Sequence, residues 1–166
     1  LLVDREHLLR ENGRLTRRLQ ETRLRHKAEM EDVDFLTRRG LEKSAFLDLA
    51  GCSWIVHHHN LIISGPTGVG KTYLAGALAH KACREGHRVI YYRFSDFLRE
   101  LGMSLADGSY PKLAAKIAKR DLLVIDDWLR DPVGPEQSRQ IIDLLDDRFR
   151  SKSTLLPSQA PVSAWH

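Results

Sequence analysis

The sequence predicts an α/β protein built on a parallel β-sheet, and three observations carry that expectation. From residue 60 onward, short apolar segments alternate with helical ones, the pattern of repeated strand–helix–strand units. The first of these strands, NLIIS (60–64), runs straight into a glycine-rich turn, GPTGVGKT (65–72). A later strand, LLVID (122–126), is apolar until it ends on two adjacent carboxylates, Asp126 and Asp127. Strands with so few polar residues fit a sheet covered on both faces.

Each element follows from local pattern. Residues 1–27 read as one helix, with Leu1, Leu8, Leu15 and Leu19 in an apolar stripe and Leu2 and Leu9 beside it. Arg10, Arg14, Arg17, Arg18 and Arg25 fall within about 100° of rotation, roughly opposite that stripe. Gly13 in the interior costs about 1 kcal/mol relative to alanine. Residues 28–50 are acidic and then mixed, with a short helix over 42–50. Residues 1–50 are therefore expected to form a partial helical N-terminal domain, and 51–166 the α/β core. After the glycine-rich turn, 70–85 make a helix stopped by Gly86, and RVIYY (88–92) is β-branched and aromatic, hence a strand. Residues 95–103 and 112–119 read as two helices around the turn DGSYP. The strand 122–126 is followed by a helix over 136–150 and a last strand, STLLPS (153–158).

Composition narrows the class further. At 166 residues, 42% apolar and 29% charged, the chain suits one globular domain or most of one. No apolar run reaches the roughly 18 residues that span a bilayer. The start is too charged for a signal peptide. Cys52 and Cys83 suggest small buried side chains in a reducing cytosol rather than a disulfide framework. The net charge of +4 is unevenly spread. Residues 1–27 hold eight Lys or Arg against four Asp or Glu, and 81–120 hold nine against four. Both segments are candidates to meet a polyanion. The three consecutive histidines, His57 to His59, diverge along an extended chain and lack a nearby acid or cysteine, so they are read as a strand lead-in.

The turn 65–72 matches G-x-x-x-x-G-K-[ST], the phosphate-cradling P-loop, in its confirming place between a strand and a helix. Glycines let backbone N–H groups close around phosphates, and the following helix points its positive end at them. Lys71 reaches the outer phosphates and the Thr72 hydroxyl ligates Mg²⁺. The strand 122–126 delivers Asp126 to the same sheet edge, where it would hold the Mg²⁺, usually through water. Asp127 is then placed to orient or deprotonate an attacking water, unless it merely caps the exit loop WLRDPVGP. Strand alternation alone sends the two carboxylates to opposite faces, so both line the site only if the strand ends there.

Around these motifs the chain resembles a known family. LIISGPTGVGKTYLAGALAHKACREGHRVIYYR, GSYPKLAAKIAKRDLLVIDDW and EQSRQIIDLLDDRFRSKSTLLPSQAPVSAW are similar to IstB, the helper ATPase of bacterial insertion sequences. IstB is related to the DnaC helicase loaders within the AAA+ ATPases. The leading LLVDREHLLRENGRLTRRLQ resembles part of the IstB N-terminal domain. The resemblance implies a AAA+ core with strand order 5-1-4-3-2, and nucleotide contacts along Gly65, Pro66, Thr67, Gly68, Val69, Gly70, Lys71, Thr72 and Tyr73. It puts the adenine near Trp54 and Ile55, although core packing accounts for Trp54 equally well, and Gln159 at the sensor-1 position. Asp127 stands where most AAA+ proteins carry glutamate, which looks normal for IstB.

By the same resemblance the protein binds ATP and Mg²⁺, assembles into an oligomer on duplex DNA and hands the site to a transposase. That implies a bacterial cytoplasmic, nucleoid-associated location and no membrane. Lys112, Lys116 and Lys119 share one helix face, and Arg14, Arg17 and Arg18 form a second basic patch; both are candidate DNA contacts, mostly to phosphates. The chain stops at PVSAWH, before the last core strand, the arginine finger and the sensor-2 lid of AAA+ proteins, and Arg130 or Arg148 is the alternative source of a finger. Two other functions remain open at this point: a DnaC-like loader of a replicative helicase, and a nucleotide-dependent DNA-binding module without turnover.

Overall fold

The computed structural model describes residues 1–24, 26–35, 40 and 42–165. Arg25 of the expected arginine face therefore lies outside the described residues. Four strands form one parallel sheet: β1 (Leu61–Ser64), β2 (Val89–Arg93), β3 (Leu122–Asp126) and β4 (Ser153–Ser158). Their spatial order is β1-β4-β3-β2, which is the expected 5-1-4-3-2 with four of its five strands. The helices are α1 (Leu2–Thr22), α2 (Lys43–Ala50), α3 (Ser53–Val56), α4 (Lys71–Arg84), α5 (Phe94–Asp107), α6 (Tyr110–Ala118) and α7 (Pro135–Arg148).

Strand alternation sorts the core into two layers. Val89, Tyr91, Leu122 and Val124 pack with α4, α2 and α3 on one face. Ile90, Tyr92, Leu123 and Ile125 pack with α5, α6 and α7 on the other. β3 and β4 are buried throughout, β3 with its apolar residues and β4 with Ser153, Thr154 and Ser158 buried beside Leu155 and Leu156, while β1 alternates between half-buried and exposed at one edge of the sheet. At the other edge, α1 packs against β2.

Several boundaries differ from the sequence expectation, each for a local reason. α1 ends at Thr22 rather than residue 27, because Arg23 turns left-handed (φ 64°) and its N–H closes on the Gln20 carbonyl. The described residues between 24 and 35 then run over α4 as an irregular strap with one 3₁₀ turn, Met30–Asp32. Ala28 seats on α4 where Gly76 has no side chain; a Cβ there would stand 3.3 Å from the Ala28 Cβ. Ala28, Val33 and Phe46 belong to the same buried cluster as α4, so packing shows no break at residue 50. α5 continues to Asp107 and α6 begins at Tyr110, which shortens the expected turn to Gly108 and Ser109. Gly108 takes φ 77°, the Asp107 carboxylate accepts the Ser109 N–H at 2.9 Å, and Pro111 enters the first turn of α6, where no N–H is needed.

Candidate functional site

β1 ends at Ser64 and the loop 65–70 turns the chain into α4. Gly68 and Gly70 hold φ of 84° and 92°, values costly for other residues, and an added Cβ at Gly65 would stand 3.3 Å from Val69 Cγ2. No side chain caps α4, so its first N–H groups face the loop. Lys71 is 9% exposed and forms no ion pair among the described residues. Its ammonium donates to the Gly65 carbonyl at 2.6 Å and the Pro66 carbonyl at 2.7 Å. A positive charge held on carbonyls, with no carboxylate against it, remains available to phosphate.

The two carboxylates converge on this loop. Asp126 follows the β3 alternation and points, like Leu122 and Val124, to the α4 face. Asp127 should point the other way, but it takes φ 56° and turns the chain out of the strand. Trp128 then returns to the sheet, donating its N–H to the Pro157 carbonyl at 2.9 Å. Asp126 and Asp127 consequently line one cavity of about 470 Å³, together with Thr67, Lys71, Thr72 and Gln159. That volume suits a nucleotide-sized ligand. Thr72 and Asp126 in one cavity fit a phosphate-bound Mg²⁺, which would supply charge neutralisation on the phosphates.

β2 furnishes the partners of both acids. The Tyr91 hydroxyl donates to Asp126 Oδ2 at 2.8 Å, and the Asp127 N–H donates to Asp126 Oδ1 at 2.9 Å. Arg93 donates to Asp127 Oδ2 at 3.1 Å, and Arg130 reaches the same oxygen at 3.3 Å. Sequence reading missed Tyr91 and Arg93. Their signal was the Y-x-R spacing, which puts both on the face of Val89, opposite the acidic end of β3.

Other expected residues lie elsewhere. Trp54 and Ile55 are 7% and 2% exposed in the α4-side core and do not line the cavity. The Trp54 indole N–H is spent on the Leu49 carbonyl at 3.0 Å, which favours the packing role. The walls of the cavity away from the loop are instead Leu24, His26 and Ala28 of the strap. Arg148, an alternative finger, is 2% exposed and donates to the carbonyls of Ile117 (2.8 Å), Arg120 (3.0 Å) and Ser153 (2.6 Å). It cannot reach a neighbouring molecule. Arg130 is exposed and held on Asp127.

The basic segments divide in the same way. Lys112, Lys116 and Lys119 line a second, open groove of about 860 Å³ between β2, α5, α6 and the end of α1, with Arg93 shared between the two cavities. Lys116 pairs with Glu100 at 2.9 Å, whereas Lys112 and Lys119 make no ion pair among the described residues. Arg14 and Arg17 are exposed but pair with Glu11 and Glu21, each at 3.0 Å, and Arg18 packs against Gly86. Among the described residues no cluster of His, Cys, Asp or Glu could hold a metal by itself, and His57 to His59 are no exception. None of the described helices is long and apolar enough to cross a membrane.

This architecture, a P-loop and an acid-ended strand on a parallel sheet ordered β1-β4-β3-β2, defines a P-loop nucleotide-binding protein. Solved structures agree on the fold. AMPPCP-bound DnaA from Aquifex aeolicus superposes with a TM-score of 0.72 at 22% identity, over 83% of this chain and 43% of that one. The helicase loader DnaC superposes at 0.65 and 19%, over 81% and 78%. The family follows from sequence: the model for IstB-like ATP binding proteins matches residues 1–166, and the chain belongs to that family. The insertion-sequence ATP-binding protein y4pL of Sinorhizobium fredii (strain NBRC 101917 / NGR234) is 42% identical over all of this chain and 68% of its own length. That of IS1162 from Pseudomonas fluorescens is 39% identical over 98% of this chain and 71% of its own. The chain thus spans about two thirds of the length of these relatives.

Proposed function

We propose that the protein is the ATP-hydrolysing helper of an insertion-sequence transposition system, binding Mg·ATP in the P-loop cavity and assembling on duplex DNA to present a site to the element's transposase. The observation that carries the nucleotide half is the convergence of Lys71, Thr72, Asp126 and Asp127 on one cavity. Lys71 and the α4 N-terminus bind the phosphates; Thr72 and Asp126 hold the cation; Asp127 orients or deprotonates the attacking water. Gln159, which follows β4 and lines the same cavity, would contact the terminal phosphate or that water. The DNA half is supported by the family and by the groove with Lys112 and Lys119, which make no ion pair among the described residues. Arg14 and Arg17 on α1 would extend it. A transposase partner, ATP-dependent self-association and a cytoplasmic site of action follow from that role.

Calorimetry with ATP, on the parent and on Lys71→Ala, tests the site. Loss of measurable binding in the variant is expected, and an unchanged affinity would refute the P-loop assignment. ATP hydrolysis with and without duplex DNA, on this chain and on a full-length relative, tests the coupling. Turnover that DNA leaves unaltered in both would refute it.

A further inference from the structure

We propose that Tyr91 is a positioning residue for the divalent cation, fixing the Asp126 carboxylate through its phenol while leaving that carboxylate its charge. The inference rests on the Mg·ATP reading of the cavity and concerns a residue outside both sequence motifs.

Asp126 is 2% exposed, so both its oxygens need partners inside the protein. Each finds one neutral donor: the Tyr91 hydroxyl on Oδ2 at 2.8 Å and the Asp127 N–H on Oδ1 at 2.9 Å. An ionised carboxylate offers about four lone-pair sites. Two donors on opposite oxygens fix its plane and leave one site on each for a cation or a cation-bound water. Tyr91 is itself buried on the α4 face, packed among the core residues of β2 and β3, which restrains its ring.

Two residues on, the same face of β2 carries Arg93, and its charge goes to the neighbouring acid Asp127. The strand therefore treats the two carboxylates differently. Asp126 meets a donor without charge, and Asp127 meets a cation. A phenol is a neutral donor, so its hydrogen bond to Asp126 Oδ2 adds no positive charge beside the cation site. A guanidinium in its place would neutralise Asp126 and compete with the metal. A phenylalanine would leave a buried oxygen short of a donor and free to rotate. Outer partners of this kind typically contribute 10–100-fold to metal affinity.

The test is ATP binding by the parent, Tyr91→Phe and Asp126→Asn, first in EDTA and then across a Mg²⁺ titration, with Mn²⁺ binding to the ATP complex followed by electron paramagnetic resonance. Tyr91→Phe keeps the ring in the core and removes one oxygen. It should bind ATP in EDTA as the parent does, yet need about 10-fold more Mg²⁺ or Mn²⁺ for half-saturation. Asp126→Asn should need still more. If Asp126→Asn shifts the metal response and Tyr91→Phe does not, or if Tyr91→Phe binds metal more tightly, the positioning role is wrong and the Mg·ATP reading stands. If Tyr91→Phe weakens ATP binding equally in EDTA, the phenol serves only packing and the proposal falls. A parent whose ATP affinity ignores Mg²⁺, or an Asp126→Asn that leaves the metal response unchanged, would overturn the site reading and this inference together.

Discussion

Replacing Arg148 by alanine should nearly unfold the protein without any direct effect on turnover. Arg148 is 2% exposed and forms no ion pair among the described residues; burial lowers its pKa to about 10 against the opposing pull of the Asp121 charge, so it stays charged at neutral pH. It closes the end of α6 and the start of β4 by donating to three carbonyls, at 2.8, 3.0 and 2.6 Å, and to the Thr154 hydroxyl at 3.3 Å. Bonds from a charged donor are worth roughly 1.5–3 kcal/mol each, and an orphaned buried acceptor costs about 1–3 kcal/mol. Water entering the vacated space recovers part of that, which leaves a loss of about 4 kcal/mol. Domains of this size are stable by about 5–15 kcal/mol, so the variant should be marginal. With a urea m-value of about 2 kcal/mol/M, the unfolding midpoint should fall by about 2 M at unchanged slope. Arg148→Met, which restores volume without a buried charge, should recover part of the loss. A midpoint shift worth less than about 1 kcal/mol, or a stably folded Arg148→Ala that binds ATP normally but has lost DNA-stimulated turnover, would refute the structural role and return Arg148 to the finger position.

Asp127→Asn should keep ATP-dependent DNA binding and lose hydrolysis, because an interaction used only in the transition state lowers the rate without loosening the ground state. Turnover surviving within a factor of about three, under 1 kcal/mol of barrier, would make Asp127 a loop residue. Changing Lys112, Lys116 and Lys119 together to alanine in a full-length relative should weaken duplex binding about equally for unrelated sequences. It should flatten the log–log salt slope by about 2 per subunit, since Lys116 is already committed to Glu100; a parental slope would show a merely solvated face. Acid should release α1 and the strap before the sheet unfolds. Arg120, then Arg17, hold Glu21 below the ordinary glutamate value of 4.5, and Arg84 does the same for Glu31. Burial opposes ionisation of Glu100, but hydrogen bonds from Lys116 and Arg23 outweigh it and lower its pKa. Depressed values mean that this stabilisation is complete above about pH 4.5 and fades as pH falls through them. Hydrogen exchange in α1 and the strap that rises only together with exchange in β3 would contradict it.

The order of elements was legible because local pattern and tertiary structure agree there. Apolar β-branched runs became strands, and the P-loop spacing located the turn without reference to the rest of the chain. The packing of Ala28 and Val33 against the core was not legible, because pattern is silent there. The strap has no periodicity, and Ala28 and Val33 are buried by what α4 offers, not by their own sequence. Lys116 was read from helix spacing as one of three equivalent lysines. Its partner Glu100 comes from another helix, 16 residues back, which spacing within α6 cannot reveal. Arg148 did leave a trace. It stands seven residues after Ile141 and four after Leu144, on the buried stripe of α7, and a charge at that place needs internal partners.

The local geometry also bears on why the second acid is aspartate. β3 can send only one of two neighbouring side chains to the α4 face while it remains a strand. The other must be brought round by the backbone, and Asp127 does this with φ 56°. Among residues other than glycine, Asp and Asn adopt that region several times more readily than most. A glutamate would add side-chain length where the backbone has already turned the group into the cavity, and would face Arg93 and Arg130 from a different distance. Asparagine keeps the backbone preference and the shape while losing the basic oxygen. The Asp127→Asn comparison therefore isolates chemistry from fold more cleanly at this position than it would at a residue in regular β conformation.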